Sequence, residues 1–453
     1  MSAAKRAGVL LHPTSLPHEG SLGRLDKAAW QFLDWMQEAG LSVWQMLPLT
    51  QPVQGLSPYQ SVSAFAMNPA LLPEDWQEQF DATAFDAFLQ DPPHWLDDYA
   101  LFMTLREVFN YEPWSSWPDV YQKRDLLSLA NFAQQHQEHI TFLKKEQFVL
   151  GVIWQKLKAD ANAKGIMLFG DMPIFVAYDS ADVWANPDQF KLDEHLKPTV
   201  VAGVPPDYFS ETGQHWGNPH YNWEVMLEDD FDWWHKRIAQ AISQFDFVRI
   251  DHFRGLEACW EIDAKEETAM NGEWRKVPGD KLLSDLHRNF PHMNLVAEDL
   301  GVITPEVVAL KEAFNLPGMS VLQFGFNGLP DNPHDLKEQV ENSIVYTGTH
   351  DNDTTLGWWD SLDDETRHWV DLQLADFQFA GDMPWPLIAA AMSSPALTMI
   401  APLQDYLGLA TEARMNIPGT CDGNWAWQFE WQEIPNDLSA RIKTLIKKYE
   451  RIA

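Results

Sequence analysis

The sequence predicts a parallel (β/α)8 barrel. Eight short apolar runs recur along the chain, amphipathic helical stretches separate them, and the runs end in polar or charged residues. Short apolar runs bounded in this way suit strands buried on both faces, and regular alternation with helices indicates a parallel sheet closed on itself.

The runs are Gly8 to His12, Val43 to Leu49, Ile166 to Asp171, Phe245 to Asp251, Leu295 to Asp299, Met319 to Phe324, Ile344 to His350 and Ala396 to Leu403. Helical spacing of apolar residues falls at Lys27 to Ala39, Phe148 to Ala163, Asp280 to Phe290 and Pro305 to Phe314. Thr304-Pro305-Glu306 reads as a helix start, with a capping hydroxyl and a proline in the first turn. From about Asn436 the chain reads as a closing amphipathic helix. Two connections are too long for a single helix. One, 50–145, reads as a mainly helical insertion; the other, 172–232, is rich in aromatics, Pro, Gly and Asn. Barrel insertions of this kind decorate the rim at the C-terminal ends of the strands, where barrel active sites are built. The whole chain, 1–453, is expected to be one catalytic barrel with these two insertions.

Charge narrows the partners. Asp and Glu number 66 against 32 Lys and Arg, a formal net charge of −34, and this surface repels phosphates and anionic lipid heads. Neither nucleic acid nor a membrane is an expected partner. The two cysteines, Cys259 and Cys421, form no Cys-x-x-Cys pattern, which fits a reducing compartment. The N-terminal run is too short for a signal peptide, so the expected location is cytoplasmic. Most of the 22 tryptophans are assigned to packing and a minority to platforms for sugar rings.

Four carboxylates come at the ends of apolar runs: Asp171, Asp251, Glu298 and Asp351. On a barrel all four would meet at the C-terminal rim. For any one of them the plain reading is a polar strand terminus; four together favour a site. Opening a glycosidic bond needs two carboxyl groups in different protonation states. Arg249 lies two residues before Asp251, on the same face of a strand, and is expected to hold Asp251 ionised. A purely structural ion pair is the alternative role for Arg249. Glu298, with no cation beside it in sequence, is the expected proton donor. His12, His252 and His350 occur singly near run ends, without metal-ligand spacing, and His350 reads as a donor to a sugar hydroxyl. Phosphate-binding glycine loops, the nucleophile elbow and the His-Glu-x-x-His zinc motif are absent from the sequence.

The motifs themselves are long. They run Gly8-Val-Leu-Leu-His-Pro-Thr-Ser-Leu-Pro17, Ser57-Pro-Tyr-Gln-Ser61, Gly170-Asp-Met-Pro-Ile-Phe-Val176 and Gly203-Val-Pro-Pro-Asp-Tyr-Phe-Ser-Glu-Thr-Gly213. Val248-Arg-Ile-Asp-His-Phe-Arg-Gly255, Ala297-Glu-Asp-Leu-Gly301 and Tyr346-Thr-Gly-Thr-His-Asp-Asn-Asp-Thr-Thr355 follow. In these the chain resembles the amylomaltase, or 4-α-glucanotransferase, family, relatives of the α-amylase barrel. The resemblance implies transfer of an α-1,4-glucan segment to the 4-hydroxyl of glucose or another glucan, with retention. It implies Asp251 as nucleophile, Glu298 as acid and base, and Asp351 as stabiliser of the distorted sugar. By the same resemblance Tyr59, Asp171, Arg249 and His350 line the reacting subsite, and Tyr208, Phe209 and Trp216 guide the glucan. No metal or organic cofactor is implied. Two other readings use the same residues differently: hydrolysis of α-glucans, with water as acceptor, and a starch-binding protein on an inherited barrel.

Overall fold

The computed structural model describes residues 4–206, 210–420 and 422–451. Twelve strands are present among them: β1 (Arg6–Leu10), β2 (Val43–Gln45), β3 (Met167–Pro173), β4 (Val200–Val204), β5 (Gln214–Pro219), β6 (Phe247–Asp251), β7 (Ala258–Asp263), β8 (Gly272–Lys276), β9 (Leu295–Ala297), β10 (Gly318–Val321), β11 (Ser343–Tyr346) and β12 (Thr398–Pro402). Eight of them form one parallel sheet in the order β10-β11-β12-β1-β2-β3-β6-β9. The Ala297 amide donates to Pro317 O at 2.9 Å, joining the two edges and closing the barrel. Each of the eight apolar runs overlaps one barrel strand; β1, β10 and β11 begin before their runs, and β3 continues past Asp171 to Pro173.

Side chains alternate along each strand between two cores. Leu10, Val43, Phe169, Val296, Ile344, Tyr346 and Ile400 fill the barrel interior. Val9, Trp44, Leu168, Val248, Leu295, Val345 and Met399 face the surrounding helices. The alternation sets the site: inward Phe169 is followed at the same parity by Asp171, and Phe247, which packs on the interior cluster, by Arg249 and Asp251. Gly8 shares the inward parity of Leu10; a Cβ there would come within 2.6 Å of Val43 O, so only glycine lets β1 and β2 lie this close.

Helix Lys27–Ala39 starts where the Asp26 carboxylate accepts from the Ala28 amide and stops at Gly40, whose φ of 78° is left-handed. Its buried face is Ala28, Ala29, Phe32, Leu33, Met36 and Ala39, and it packs on the C-terminal helix Leu438–Lys448. Truncating Phe32, which is fully buried, would cost about 3–5 kcal/mol. The expected helix at Phe148 begins earlier, spanning Gln137–Ala163, because its first turns carry only Leu143 as a buried residue before Gln147 and show little apolar periodicity. At the Pro305–Ala313 helix, Thr304 occupies the cap position but makes no capping bond. Its hydroxyl serves the Glu306 carboxylate instead.

Between β2 and β3 the chain forms short helices, among them Ala82–Phe88, Leu96–Val108 and Leu126–Gln135. A four-stranded antiparallel sheet, β5-β4-β7-β8, is an element that the apolar runs did not signal. It combines two strands from the β3–β6 connection with two from the β6–β9 connection. Among the described residues, no helix is long and apolar enough to cross a membrane.

Candidate active site

The register of the barrel brings the carboxylates together. Asp171 pairs with Arg249, and Pro173 with Asp251, across β3 and β6. Ile250 pairs with Ala297 across β6 and β9, so the next residues, Asp251 and Glu298, emerge side by side at the rim. The Glu298 amide donates to Ile250 O at 3.1 Å, extending this pairing by one step.

Arg249 is the buried centre. Its Nε donates to Asp171 Oδ1 at 2.9 Å and its Nη2 to Asp171 Oδ2 at 2.7 Å, a bidentate pair with both side chains almost fully buried. The same Nη2 reaches Asp251 Oδ1 at 3.3 Å and Tyr59 OH at 3.2 Å. Tyr59 is delivered by the loop after β2. Its hydroxyl donates to Asp171 Oδ2 at 2.6 Å and lies 2.9 Å from His350 Nε2. Burial, reinforced by Asp171, raises the Tyr59 phenol, so it keeps its proton. That proton goes to Asp171, so the contact with His350 requires an Nε2–H donating to the phenol oxygen. Burial also lowers His350, which is therefore neutral, with its proton on Nε2.

The two central carboxyls differ in surroundings. Glu298 accepts the His252 amide at 2.8 Å on Oε2 and the Leu300 amide at 3.1 Å on Oε1. His252 reaches it from a left-handed backbone conformation, φ 56°. Burial pushes Glu298 up to about 7, against the pull of Arg249 and these two amides. For Asp251 the expectation that Arg249 holds it low is not met, because burial outweighs the guanidinium. Burial raises it well above the usual carboxylate range; Arg249 pulls it down, while Asp171, Glu298 and Asp351 add to the rise. The guanidinium is committed to Asp171, whose charge offsets part of its effect on Asp251. The Asp251 side chain is 31% exposed, open to the cleft for a ligand.

Asp351 follows β11 on the loop that carries His350, and His350 Nε2 lies 3.4 Å from its Oδ2. Its Oδ1 accepts from Asn416 Nδ2 at 2.6 Å, and its backbone oxygen from Arg414 Nη2 at 2.6 Å. Asn416 and Arg414 were not singled out in the sequence; they come from the segment after the last strand, where no periodicity marks them. Gln60 was also missed, although it neighbours Tyr59: its Nε2 donates to Asn218 Oδ1 at 2.8 Å and to Trp216 O at 3.3 Å. Trp425 packs against both Tyr59 and His350, with ring centroids 5.7 Å away.

Trp216, on β5, stands edge-on to the His252 ring, centroids 4.9 Å apart, at the margin of the cluster. Tyr208 and Phe209 lie outside the described residues. His12 is buried beside the cluster, and burial with the nearby His350 pushes it down to about 3. Among the described residues no three His, Cys, Asp or Glu side chains are grouped to hold a metal ion. A pair of adjacent carboxyls with different environments, braced by a buried guanidinium, is equipped to cleave and remake an acetal bond.

Comparison with known proteins points the same way. The sequence matches the profile of the 4-alpha-glucanotransferase family over residues 11–80 and 71–433. It is 43% identical to a 4-alpha-glucanotransferase of Thermus thermophilus over the full length of both chains. It is 40% identical to a 4-alpha-glucanotransferase of Synechocystis, covering 98% of each. Among solved structures, the amylomaltase of Streptococcus agalactiae in complex with acarbose superposes with a TM-score of 0.94 at 32% identity, covering 99% of this chain and 100% of that one.

Proposed function

The chain belongs to the 4-alpha-glucanotransferase family, and from that premise we propose that Asp251, Glu298 and Asp351 move an α-1,4-glucan segment by a retaining double displacement. The observation that carries this assignment is the pairing of β6 with β9, which sets Asp251 and Glu298 side by side. In the first step Asp251 attacks the anomeric carbon through Oδ2, the oxygen that Arg249 does not hold. The bond to the leaving oxygen breaks as Glu298 gives that oxygen its proton. A glucosyl ester on Asp251 results. In the second step Glu298, now a carboxylate, takes the proton of an acceptor 4-hydroxyl, which displaces Asp251 with net retention.

Each surrounding residue has a part. Asp351, fixed by Asn416, takes hydroxyls of the distorted sugar and supports its positive charge. Arg249, Asp171, Tyr59 and His350 form one hydrogen-bonded unit that keeps the floor of the reacting subsite rigid. Trp216 offers an indole at the margin for the next sugar ring. The substrates are α-1,4-glucans and glucose, uncharged molecules to which the acidic surface is indifferent, and the location is cytoplasmic.

The test is incubation with maltotriose while free glucose and the chain-length ladder are followed together. Glucose with a lengthening ladder is expected. A ladder that only shortens, with reducing ends rising, would mean that water is the acceptor. Asp251→Asn and Glu298→Gln should each lower turnover by several powers of ten with the fold retained. In a liganded crystal their carboxyls should stand about 5–5.5 Å apart, and a gap beyond about 6.5 Å would mean inversion.

A further inference from the structure

Asp405 is a carboxylate that the chemistry above does not use. It sits in the short helix Leu403–Leu407 directly after β12 and is 1% exposed. Burying a carboxylate is unfavourable unless donors replace its water. Its Oδ2 accepts the hydroxyls of Thr347 and Thr355, each at 2.6 Å, and its Oδ1 accepts the Thr355 amide at 2.7 Å. Thr347 is the first residue after β11, and Thr355 is the first residue of the helix Thr355–Ser361. Between them runs Gly348-Thr349-His350-Asp351-Asn352-Asp353-Thr354. One buried side chain therefore ties both ends of the segment whose middle delivers His350 and Asp351.

We propose that Asp405 is a positioning residue for glucan transfer, a clasp that fixes the 347–355 loop so that His350 and Asp351 meet the sugar in register. The proposal rests on the assignment of Asp351 to the reacting subsite. The rest of the loop is braced locally. Asn352 Oδ1 accepts the Thr349 amide at 2.9 Å and its hydroxyl at 2.8 Å, and Thr411 donates to Asp353 Oδ2 at 2.9 Å. These bonds shape the loop, whereas Asp405 sets where it stands on the barrel. Gln323 supports the same seat, its Nε2 donating to Asp353 O at 3.0 Å. The loop's placement has a consequence that can be read directly: His350 Nε2 stands within hydrogen-bonding distance of Tyr59 OH. A shift of about 1 Å in such a group is enough to cost up to about 100-fold in rate.

The threonines test the clasp without removing the buried charge. Thr347→Val and Thr355→Val keep the shape and lose the hydroxyl; Thr347→Ser and Thr355→Ser keep it. With maltotriose as donor and acceptor, the valine variants should lose about 10- to 100-fold in kcat with KM within about twofold. The serine variants should turn over near the wild-type rate. Rates are measured well below each variant's unfolding midpoint, so a role limited to stability would move the midpoint and leave kcat alone. Wild-type kcat in both valine variants, beside an inactive Asp351→Asn, would overturn the clasp and leave the site assignment standing. Wild-type turnover in Asp351→Asn itself would overturn the site assignment and the clasp with it. Asp405→Asn, if it folds, should match the valine variants, and if it does not fold the threonine series decides.

Discussion

Arg249 gives the Nε–Nη2 edge of its guanidinium to Asp171, at 2.9 and 2.7 Å, and reaches Asp251 only with the Nη2 already shared, at 3.3 Å. The ion pair faces Asp251 but is completed without it. Both partners are almost fully out of water, so removing one strands the other charge. Arg249→Met should lower the unfolding free energy by about 3–5 kcal/mol, read by denaturant titration. Adding Asp171→Leu to it should restore most of that stability and none of the transfer activity. A single variant as stable as the wild type would mean that the pair does not hold the barrel floor.

The same geometry sets the pH dependence of kcat/KM. In the proposed reaction Glu298 must carry a proton at the start, and burial lifts it to about 7, so activity should fall above that value. The proposed nucleophile Asp251 must be ionised, and burial raises it too, so the acid limb should stand above the ordinary carboxylate range. Asp171 contributes to that rise; Asp171→Asn removes a negative charge from Asp251's surroundings and should shift the acid limb to lower pH. An acid limb that stays put in this variant would mean that Asp171 acts on Asp251 only through Arg249's position.

Much of this cluster could be read from the sequence because strand parity is a local rule. Asp171, Asp251 and Glu298 come at the ends of apolar runs, Arg249 lies two residues before one of those ends, and a two-residue period decides which of them face inward. Asn416 and Arg414 could not be read in that way. Their contact with Asp351 spans more than sixty residues and comes from a segment without strand or helix periodicity. The small antiparallel sheet escaped for a related reason. In β4 and β5, Val200–Val204 and Gln214–Pro219, glycine and proline interrupt the alternation, and the second partner of β4, β7, lies beyond β6 in the chain. The capping hydroxyl of Thr304 illustrates the opposite error, since the residue type was right for the position but Glu306 competes for it.

Burial of Glu298 also enters stability. Its folded pKa is raised from the usual value near 4.5 to about 7, so the folded state binds the proton more tightly than the unfolded chain. That contribution is fully present below about 4.5 and is lost as pH rises through about 7. Glu298→Gln has no such dependence. Its melting temperature relative to wild type should therefore climb between pH 4.5 and 8, by about 1–3 °C. A difference independent of pH would mean that Glu298 titrates in the folded protein as it does in water.

Asn416 provides the most specific test of how Asp351 is held. Its amide donates to Asp351 Oδ1 at 2.6 Å, while the Asp351 side chain stays 48% exposed and free to meet a ligand. Asn416→Ala removes the donor and lets the carboxylate drift, lowering kcat at every pH. Asn416→Asp instead puts a second carboxyl within hydrogen-bonding distance, where the two cannot both ionise cheaply. At low pH the pair shares one proton, an O–H replaces the lost N–H, and Asp351 is held again. At high pH both ionise and repel, which pushes the loop outward. The ratio of Asn416→Asp to Asn416→Ala activity should thus rise as pH falls from 8 to 5. A flat ratio would mean that the bond to Asn416 does not position Asp351, leaving the backbone contact from Arg414 as its restraint.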